Sequence, residues 1–405
     1  MKVLQVNVVY PGGSTGKIVR DLHRSLVSDG HESVVCYGRG GKVNERNVIK
    51  IAPEWIMKVQ SLQSKLTGYA YGGCTISTRR LIQVIQVQEP DIVHIHCING
   101  YMVNIYSLLG FLKQHKVNTV LTLHAEFMYT AGCGHALGCE KWQSGCGGCV
   151  QKGRGRPSSH IFDRSAEEWV MMKEAFDNFE TLVLVSVSKW TDSRARQSPF
   201  FLGKRKRVIL NGIDTEGTFT PTSVPFLRER HGIKDERIVL HVTPNFWSSI
   251  KGGRHVLDLA QRFSGEDVRF IIVGYKGDKS HLPLNIIPVE HTMNQQELAG
   301  YYSLADVTLL TSQAETFSMV TAESLACGTP VVGFEAGGPE TIAIQEFSEF
   351  VKQGNVEGLH SVLRSWIYRP IDKNEVAKAA SSRYSAKNMY LSYLAAYTEL
   401  IESRG

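Results

Sequence analysis

The sequence predicts an α/β protein with two doubly wound domains, each a parallel sheet covered by helices on both faces. Apolar runs of strand length alternate with helical patterns, and this alternation stops at a turn-rich segment before it starts again. The 405 residues suffice for two or three domains. With 42% hydrophobic and 21% charged residues, the composition is typical of a globular protein and excludes a disordered or fibrous chain.

The first series of strands fills the N-terminal half of the chain. Short apolar runs predict strands at Val3–Val9, Ser33–Tyr37, Ile92–His96, Thr119–Leu123, Leu182–Val187 and Val208–Leu210. A helical pattern over Ile18–Val27 follows the first strand, and further helical patterns separate several of the others. Strands that alternate with helices indicate a parallel sheet.

The second series begins after the turn-rich segment Asn211-Gly212-Ile213-Asp214. Strands are predicted at Ile238–Val242, Val268–Val273, Asn285–Val289, Val307–Leu310 and Pro330–Phe334, and helices at Val256–Phe263, Gln296–Tyr302 and Val320–Cys327. We therefore expect an N-terminal domain over 1–208 and a C-terminal domain over 209–385. A final helix over 386–405 carries an apolar stripe, which we expect to pack toward the N-terminal domain.

A loop of small residues, Gly12-Gly13-Ser14-Thr15-Gly16-Lys17, joins the first strand to the first helix. It lacks the first glycine and the Ser or Thr of a Walker loop, and it lacks the G-x-G-x-x-G dinucleotide pattern. Free amides and the dipole at a helix start favour a phosphate or a sugar hydroxyl. Gly12 and Gly13 are therefore candidate donor-binding residues; the alternative is a tight strand-to-helix turn.

Two glutamates lie eight residues apart after the predicted strand Val307–Leu310. Glu315 falls in the loop at the carboxyl end of that strand, and Glu323 lies one to two turns into the next helix. This is the edge where open α/β sheets bind ligands. Such carboxylates can accept hydrogen bonds from ribose or hexose hydroxyls. The amides that start the helix can hold a diphosphate and belong to Thr316, Phe317, Ser318 and Met319. The alternative is two solvated glutamates.

The run from Glu315 to Pro330 resembles the E-x7-E signature of the retaining glycosyltransferases of family four. Gly337-Gly338-Pro339-Glu340-Thr341-Ile342 is also similar to that family's usual sequence, as are the segments 91–96, 122–124 and 208–214, so the resemblance covers nearly the whole chain. It implies the GT-B architecture of two facing Rossmann-like domains. The N-terminal domain would bind the acceptor, and the C-terminal domain would bind a nucleotide sugar.

The resemblance also implies roles for individual residues. His124 is expected near the donor sugar and the reaction centre, Glu315 on the hydroxyls of that sugar, and Glu323 on the ribose. The alternative for His124 is a core histidine at a strand end. We expect His94 and His96 to face opposite sides of their strand, with at least one of them structural.

Two positions depart from the family's pattern. The family pairs a lysine with an arginine on the diphosphate; Lys251 supplies the lysine, but Thr243-Pro244-Asn245 stands where the arginine is expected. Arg254 is the candidate substitute for donor binding. An Asp often follows the family's histidine, whereas here Ala125 follows His124, and Glu126 is the expected contact on the acceptor side.

A cysteine cluster follows His124 with the spacing C-x5-C-x6-C-x2-C, formed by Cys133, Cys139, Cys146 and Cys149. Four thiolates in a compact glycine-rich loop can bind a structural zinc ion. Free buried thiols and a redox role are the alternatives. No Asp-x-Asp motif occurs, so the resemblance implies that catalysis requires no metal or other cofactor.

Charge is distributed unevenly along the chain. Residues 1–210 contain 27 Lys and Arg against 16 Asp and Glu, and residues 211–405 contain 18 against 23. The basic half favours an anionic partner such as a membrane surface, and the densest patch is Lys204-Arg205-Lys206-Arg207. Basic and aromatic residues are not interleaved as nucleic-acid binding would require. Without a secretory signal or an apolar run of about 20 residues, we expect a cytoplasmic protein at the inner face of the membrane.

The function expected from these observations is hexose transfer from a nucleotide diphosphate sugar to a lipid-linked or oligosaccharide acceptor in bacterial surface polysaccharide synthesis, with retention at the anomeric carbon. A nucleotide-sugar epimerase, a phosphorylase or a non-catalytic sugar-nucleotide-binding protein on the same fold are the alternatives.

Overall fold

A computed structural model describes residues 1–152, 161–290, 292 and 294–403. The chain divides into two compact units. Unit 1 comprises Met1–Ile209 with Tyr390–Gly405, and unit 2 comprises Leu210–Met389. Each unit contains one parallel sheet with helices between most of its successive strands, which confirms the predicted pair of Rossmann-like domains.

Unit 1 is built on a seven-stranded parallel sheet in the order β3-β2-β1-β4-β5-β6-β7. Its strands are β1 (Lys2–Val9), β2 (Glu32–Arg39), β3 (Val48–Lys50), β4 (Ile92–Ile95), β5 (Thr119–Leu123), β6 (Leu182–Ser186) and β7 (Arg205–Val208). Its helices are α1 (Gly13–Ser28), α2 (Glu54–Thr67), α3 (Thr75–Gln88), α4 (Ile105–Gln114), α5 (Ser165–Phe176) and α6 (Lys189–Gln197). The central strands are buried on both faces, as covered parallel sheets require.

Unit 2 contains a six-stranded parallel sheet in the order β10-β9-β8-β11-β12-β13. Its strands are β8 (Arg237–Val242), β9 (Val268–Val273), β10 (Ile286–Val289), β11 (Val307–Leu310), β12 (Val331–Phe334) and β13 (Ser348–Val351). Its helices are α7 (Pro225–Arg230), α8 (Gly253–Arg262), α9 (Gln295–Leu304), α10 (Met319–Ala326), α11 (Gly338–Ile342), α12 (Val356–Ile367) and α13 (Lys373–Tyr384).

The C-terminal helix α14 (Ala386–Glu402) belongs to unit 1 from Tyr390 onward. Three tyrosines attach it to that unit. Tyr390 donates to Asp29 at 2.6 Å, and the Tyr397 hydroxyl lies 2.6 Å from His94 Nδ1. The hydroxyls of Tyr393 and Thr122 lie 2.9 Å apart. All three tyrosine side chains are buried, so this end of the helix is part of the core of unit 1.

In each unit the strand order reverses once, between β1 and β4 in unit 1 and between β8 and β11 in unit 2. Open α/β sheets bind ligands at the carboxyl ends of the two strands on either side of such a reversal. In unit 1 these ends lead into the Gly12 loop and into His96; in unit 2 they lead into Thr243 and, after a short loop, into Glu315. The topology therefore places the candidate residues at the binding edge of each sheet.

The edges of the sheets differ from the sequence-based expectation. The predicted strand Val208–Leu210 is displaced: β7 covers Arg205–Val208 and pairs with β6 from Val183 to Ser186. An apolar run marks burial, whereas β7 is an exposed edge strand made largely of charged residues, a common protection against edge-to-edge pairing. The short edge strands β3 and β13 also lack an apolar run of sufficient length to predict them.

Within the described ranges, no helix is long and apolar enough to cross a membrane.

Candidate active site

In unit 1, three histidines gather at the carboxyl ends of β4 and β5. His96 Nδ1 lies 3.1 Å from His124 Nε2, and their rings are stacked with centroids 5.4 Å apart. The rings of His94 and His96 have centroids only 3.8 Å apart. The expectation that these two histidines face opposite sides was wrong, because residues two apart in a strand share a face. His94 is structural: its ring nitrogens bond Tyr397 and Thr122.

A buried hydrogen-bond chain sets the tautomer of His124. The amide nitrogen of Gln5 donates to Ser33, so its oxygen accepts from His96 Nε2 at 3.2 Å. His96 Nδ1 then has to accept, and His124 Nε2 is the donor to it. Burial lowers the pKa of His124 to about 4, which keeps the imidazole neutral at pH 7. The sequence did not identify His96 as the partner of His124, or Gln5 as the partner of His96, because these residues lie far apart along the chain.

The glycine loop of unit 1 leads directly into α1. Gly12 is the N-cap of this helix and offers no side chain to it, and Gly13 has a φ of +71°. Buried Asn7 holds the edge together, because its amide donates to Val9 O at 2.8 Å and its oxygen accepts from Cys97 N at 3.1 Å. The loop therefore presents the bare start of a long helix at the strand reversal, and ligand binding by Gly12 and Gly13 remains a prediction.

In unit 2, the structure brings Lys251 and Glu315 together. Lys251 Nζ lies 2.5 Å from Glu315 Oε1, and Ser312 donates to the same oxygen at 2.9 Å. The two charged side chains are 27% and 19% exposed, so the pair is partly buried and still in contact with solvent. Ser312 has no motif of its own, and sequence reasoning missed it. An ammonium has three donors, so Lys251 can keep Glu315 and still donate to an anion.

Two glycines permit the backbone approaches that position this pair. At Gly252, with φ +67°, a Cβ would lie under 3.0 Å from the Thr311 carbonyl oxygen. A Cβ at Gly338 would lie 2.6 Å from Phe317 N. Gly338 N also donates to Glu315 O at 2.7 Å, so the loop before α11 fixes the backbone of Glu315. At both positions a Cβ would force the backbone to shift.

Glu323 lies on α10 with its side chain turned inward and is 7% exposed. The buried Tyr302 hydroxyl of α9 donates to its Oε2 at 3.0 Å. Burial and the neighbouring charge of Glu323 raise the pKa of Tyr302 well above 10, so the hydroxyl remains a donor at neutral pH. Tyr302 orients the carboxylate. It lies 21 residues before Glu323 in the sequence, so no short motif contains both residues.

Helix α10 begins at a strained N-cap. Ser318 has a φ of +80°, and its hydroxyl accepts from Thr321 N at 3.2 Å. Ala322 N bonds the Ser318 carbonyl oxygen. Thr316, Phe317 and Ser318 are buried. The stretch from Thr316 to Met319 thus stands at the start of α10, beside the Lys251–Glu315 pair, as the E-x7-E pattern predicts.

Arg254 lies in the first turn of α8 and is exposed. Among the residues that the structure describes it forms no ion pair. It lines a cavity of about 270 Å³ together with Phe246, Trp247, Ser249 and Gln313. Gln313 lies two residues before Glu315, which places Arg254 near this edge of the sheet. Its contact with a donor diphosphate remains a prediction.

Glu126 is 1% exposed and fully engaged in structure. Its Oε1 accepts from Arg194 Nε at 2.6 Å and from Tyr129 at 3.0 Å, and its Oε2 accepts from Ala136 N at 2.7 Å. Arg194 also lies over the ring of Trp142, 5.0 Å from its centroid. These contacts tie the cysteine-rich loop to α6. The acceptor contact predicted for Glu126 has no support in this geometry, because the carboxylate already has three donors.

The zinc ion predicted for the cysteine-rich loop remains a prediction. Over residues 1–152, 161–290, 292 and 294–403, no three His, Cys, Asp or Glu side chains are grouped so that they could hold a metal ion. Cys133 is buried, and Cys139, Cys146 and Cys149 are half-buried.

The two Rossmann-like units, with an acidic pair and a lysine at the strand reversal of the second, define a glycosyltransferase of the GT-B class. A model of Glycosyltransferase Family 4 matches residues 12–216, and a model of group 1 glycosyl transferases matches residues 223–383. The chain belongs to glycosyltransferase family 4, as its E-x7-E signature indicates.

Known relatives cover the whole chain. The putative colanic acid biosynthesis glycosyl transferase WcaC of Escherichia coli K12 is 23% identical over 99% of this chain and 100% of its own length. Among solved structures, the sucrose-phosphate synthase of Thermosynechococcus elongatus superposes with a TM-score of 0.70 at 16% identity, covering 99% of each chain. HepE of Anabaena, solved in complex with UDP, has a TM-score of 0.66 at 16% identity, covering 98% of this chain and 100% of HepE.

Proposed function

We propose that this glycosyltransferase moves a hexose from a nucleotide diphosphate sugar to a lipid-linked or oligosaccharide acceptor, with retention at the anomeric carbon, in the synthesis of a bacterial surface polysaccharide. The observation that carries the proposal is the Lys251–Glu315 pair at the strand reversal of unit 2, next to the start of α10. A lysine and a helix N-terminus favour a diphosphate, and carboxylates favour sugar hydroxyls.

Each part of the donor is assigned to the protein groups whose chemistry suits it. Lys251 and the amides at the start of α10 take the diphosphate, and Arg254 adds charge from α8. Glu315 accepts from hydroxyls of the transferred sugar, and Glu323, oriented by Tyr302, accepts from the ribose. The UDP in the HepE structure supports a nucleotide donor on this fold.

In the proposed reaction, the acceptor oxygen bonds the anomeric carbon on the face from which the diphosphate leaves. The bond from that carbon to the diphosphate oxygen breaks, and the acceptor proton passes to the leaving phosphate. Lys251 stabilises the charge that develops on the diphosphate, an effect that is large where the donor group is held in advance. His124 is neutral and presents a fixed tautomer, so its role is to orient hydroxyls rather than to supply charge.

The acceptor is proposed from two observations. The relative WcaC is named for colanic acid biosynthesis, a polysaccharide. The N-terminal half of the chain, which would bind the acceptor, has an excess of basic residues that suits a diphosphate-linked lipid at an anionic membrane surface. We therefore place the protein in the cytoplasm, at the periphery of the inner membrane leaflet.

The test measures nucleoside diphosphate release from UDP-, GDP- and ADP-sugars, with and without a polyprenyl diphosphate-linked oligosaccharide. The proposal predicts release that requires the acceptor, and a product that keeps the anomeric configuration of the donor. Lys251→Met should lower kcat by about 100-fold or more, the usual effect of removing a preorganised charge partner. Lys276→Met, on an exposed lysine outside the pair, serves as the control.

Two outcomes would contradict the proposal. Conversion of the donor sugar without transfer would indicate an epimerase, and tight nucleotide binding without any turnover of the sugars would indicate a binding protein. A product of inverted configuration would refute retention while leaving the transferase class intact.

A further inference from the structure

Helix α2 carries its apolar residues on the side that faces solvent. Four large side chains along one stripe are each 57% to 64% exposed, namely Trp55, Val59, Leu62 and Leu66. Their spacings of four, three and four residues place them within one narrow arc of the helix. Isolated exposed apolar residues are ordinary, but an unbroken stripe along a whole helix indicates a surface that becomes covered.

The inward side of α2 is a different face from the apolar stripe. Met57 is fully buried there in the core of unit 1, Gln60 and Ser64 are buried beside it, and Gln60 donates to Ser77 of α3 at 3.3 Å. Ser64 donates to the Tyr69 carbonyl oxygen. Packing in the core of unit 1 therefore does not explain the apolar stripe, since the helix is attached by its other side.

Neighbouring residues enlarge the stripe. Ile76, at the start of α3 and next to Ser77, is 63% exposed. Phe162 is 48% exposed and lies against the end of α2. A Cβ added to Gly68, the residue that follows α2, would be 2.8 Å from the Cβ of Phe162. Two further exposed apolar side chains therefore lie close to α2.

Basic residues border this area without acidic partners. Lys58 and Lys65 are seven residues apart on one flank of the stripe, and Arg79 and Arg80 are exposed on α3. Across the described ranges none of these four side chains forms an ion pair. The one acid of α2, Glu54, is already paired with Arg39 at 2.8 Å. The surface is therefore apolar in the middle and positively charged at its border.

We propose that this face, the α2 surface, formed by Trp55, Val59, Leu62, Leu66, Lys58 and Lys65, docks on an anionic lipid bilayer. An anionic membrane binds protein surfaces whose apolar side chains, tryptophan among them, enter the headgroup region. Lysines beside these side chains strengthen the binding. The charge border favours this occupant over a neutral protein surface. The inference extends the proposed function, because it names the surface that brings unit 1 to a lipid-linked acceptor. It rests on the proposed function only for the identity of that acceptor.

The other basic patch, Lys204–Arg207, is less suited to the role. Arg207 is paired with Glu399, and Arg205 donates to Ser403 at 3.1 Å. Lys206 donates to the Phe201 carbonyl oxygen at 2.5 Å. These side chains hold the edge strand β7 and α14 in place, and among the described residues no apolar stripe like that of α2 accompanies them. The densest charge in the sequence therefore serves as the matched control.

The test is sedimentation of the full chain with vesicles of phosphatidylcholine and phosphatidylglycerol, in the absence of donor and acceptor. Wild type should bind these vesicles in a salt-dependent manner and bind pure phosphatidylcholine weakly. Lys58→Gln with Lys65→Gln should lower the partition coefficient by about 30-fold, from the usual contribution of two basic residues. Trp55→Ser with Leu62→Ser should abolish binding, and Lys204→Gln with Arg205→Gln should change it by less than about threefold.

The four substituted side chains of α2 are exposed, so the α2 variants should keep the thermal midpoint of wild type, which separates lost binding from lost folding. Hydrogen exchange over residues 54–67 should slow on vesicles. Unchanged binding in the α2 variants would overturn the inference. The inference would also be overturned if the wild-type protein did not bind vesicles but formed a dimer that the Trp55 and Leu62 substitutions dissociate. Vesicle binding without sugar transfer would refute the proposed function only, and transfer to a water-soluble acceptor without vesicle binding would refute this inference only.

Discussion

Removal of the Tyr302 hydroxyl would test whether the carboxylate of Glu323 has to be held in one orientation. The two groups are buried and 3.0 Å apart, and Tyr302→Phe keeps the ring and its packing. A hydrogen bond to a charged acceptor contributes about 1.5–3 kcal/mol. We expect the free energy of unfolding to fall by about 2 kcal/mol, with an unchanged denaturant slope.

The same substitution should weaken nucleotide binding. A glutamate that loses this hydrogen bond regains rotamer entropy of up to about 1.5 kcal/mol, which the nucleotide then has to overcome. This corresponds to roughly a tenfold weaker dissociation constant. Titration calorimetry with the nucleoside diphosphate of the active donor measures it directly.

A neighbouring tyrosine on α9 provides the control. The hydroxyl of Tyr301 lies 3.0 Å from His231 Nε2, away from Glu323. Tyr301→Phe should cost about 1 kcal/mol of stability, the usual contribution of a hydrogen bond between neutral groups, and leave nucleotide affinity unchanged. Equal affinity of Tyr302→Phe and wild type would refute the view that Tyr302 orients a nucleotide-binding carboxylate.

Two further predictions concern backbone approach and pH. Gly338→Ala should place a Cβ 2.6 Å from Phe317 N, so the start of α10 has to move by about 1 Å. A displacement of that size costs about 100-fold in kcat, and overpacking costs about 1–3 kcal/mol of stability, measured by steady-state kinetics and urea unfolding. Buried His241 has its pKa lowered to about 4, chiefly by burial. The unfolded histidine binds its proton near pH 6.5, so the native state binds fewer protons between these values. Its contribution to the free energy of unfolding should therefore be complete above pH 6.5 and fall by about 3 kcal/mol as the pH drops to 4.

Each of these has its own control. Gly110 lies in α4 with nothing within 4 Å of an added Cβ, so Gly110→Ala should be neutral or stabilise by about 1 kcal/mol. Wild-type kinetics in Gly338→Ala would count against the close approach. For the pH dependence, His241→Leu should flatten the stability profile between pH 6.5 and 4 relative to wild type; parallel profiles would show that His241 does not titrate as described.

The strands of both sheets were predictable because covered parallel strands are continuous apolar runs, and Thr119–Leu123, Val268–Val273 and Val307–Leu310 have the same bounds in sequence and structure. Among the edge strands, β10 was predicted, but β3, β7 and β13 were not, because partial exposure removes that signal. β7 shows this most clearly, since its ladder with β6 runs along Arg205–Val208 rather than along the apolar residues that follow.

The acidic pair and the start of α10 were visible in the sequence because both lie in one short segment. The partner of Glu323 was not visible, because Tyr302 reaches it through the fold rather than through local spacing. The same holds for Gln5, which reaches His96 from a strand that is distant along the chain. The cysteine cluster was also visible in the sequence. Spacing along a loop does not fix the directions of four thiols, so the zinc ion remains a prediction.

The central claim is that the Lys251–Glu315 pair, the start of α10 and Glu323 hold a nucleotide diphosphate sugar. A crystal structure with a non-hydrolysable donor analogue tests it most directly. We expect diphosphate oxygens within about 3 Å of Lys251 Nζ and of an amide at the start of α10, with the ribose hydroxyls on Glu323. A donor bound elsewhere, with Lys251 still held only by Glu315, would contradict the account.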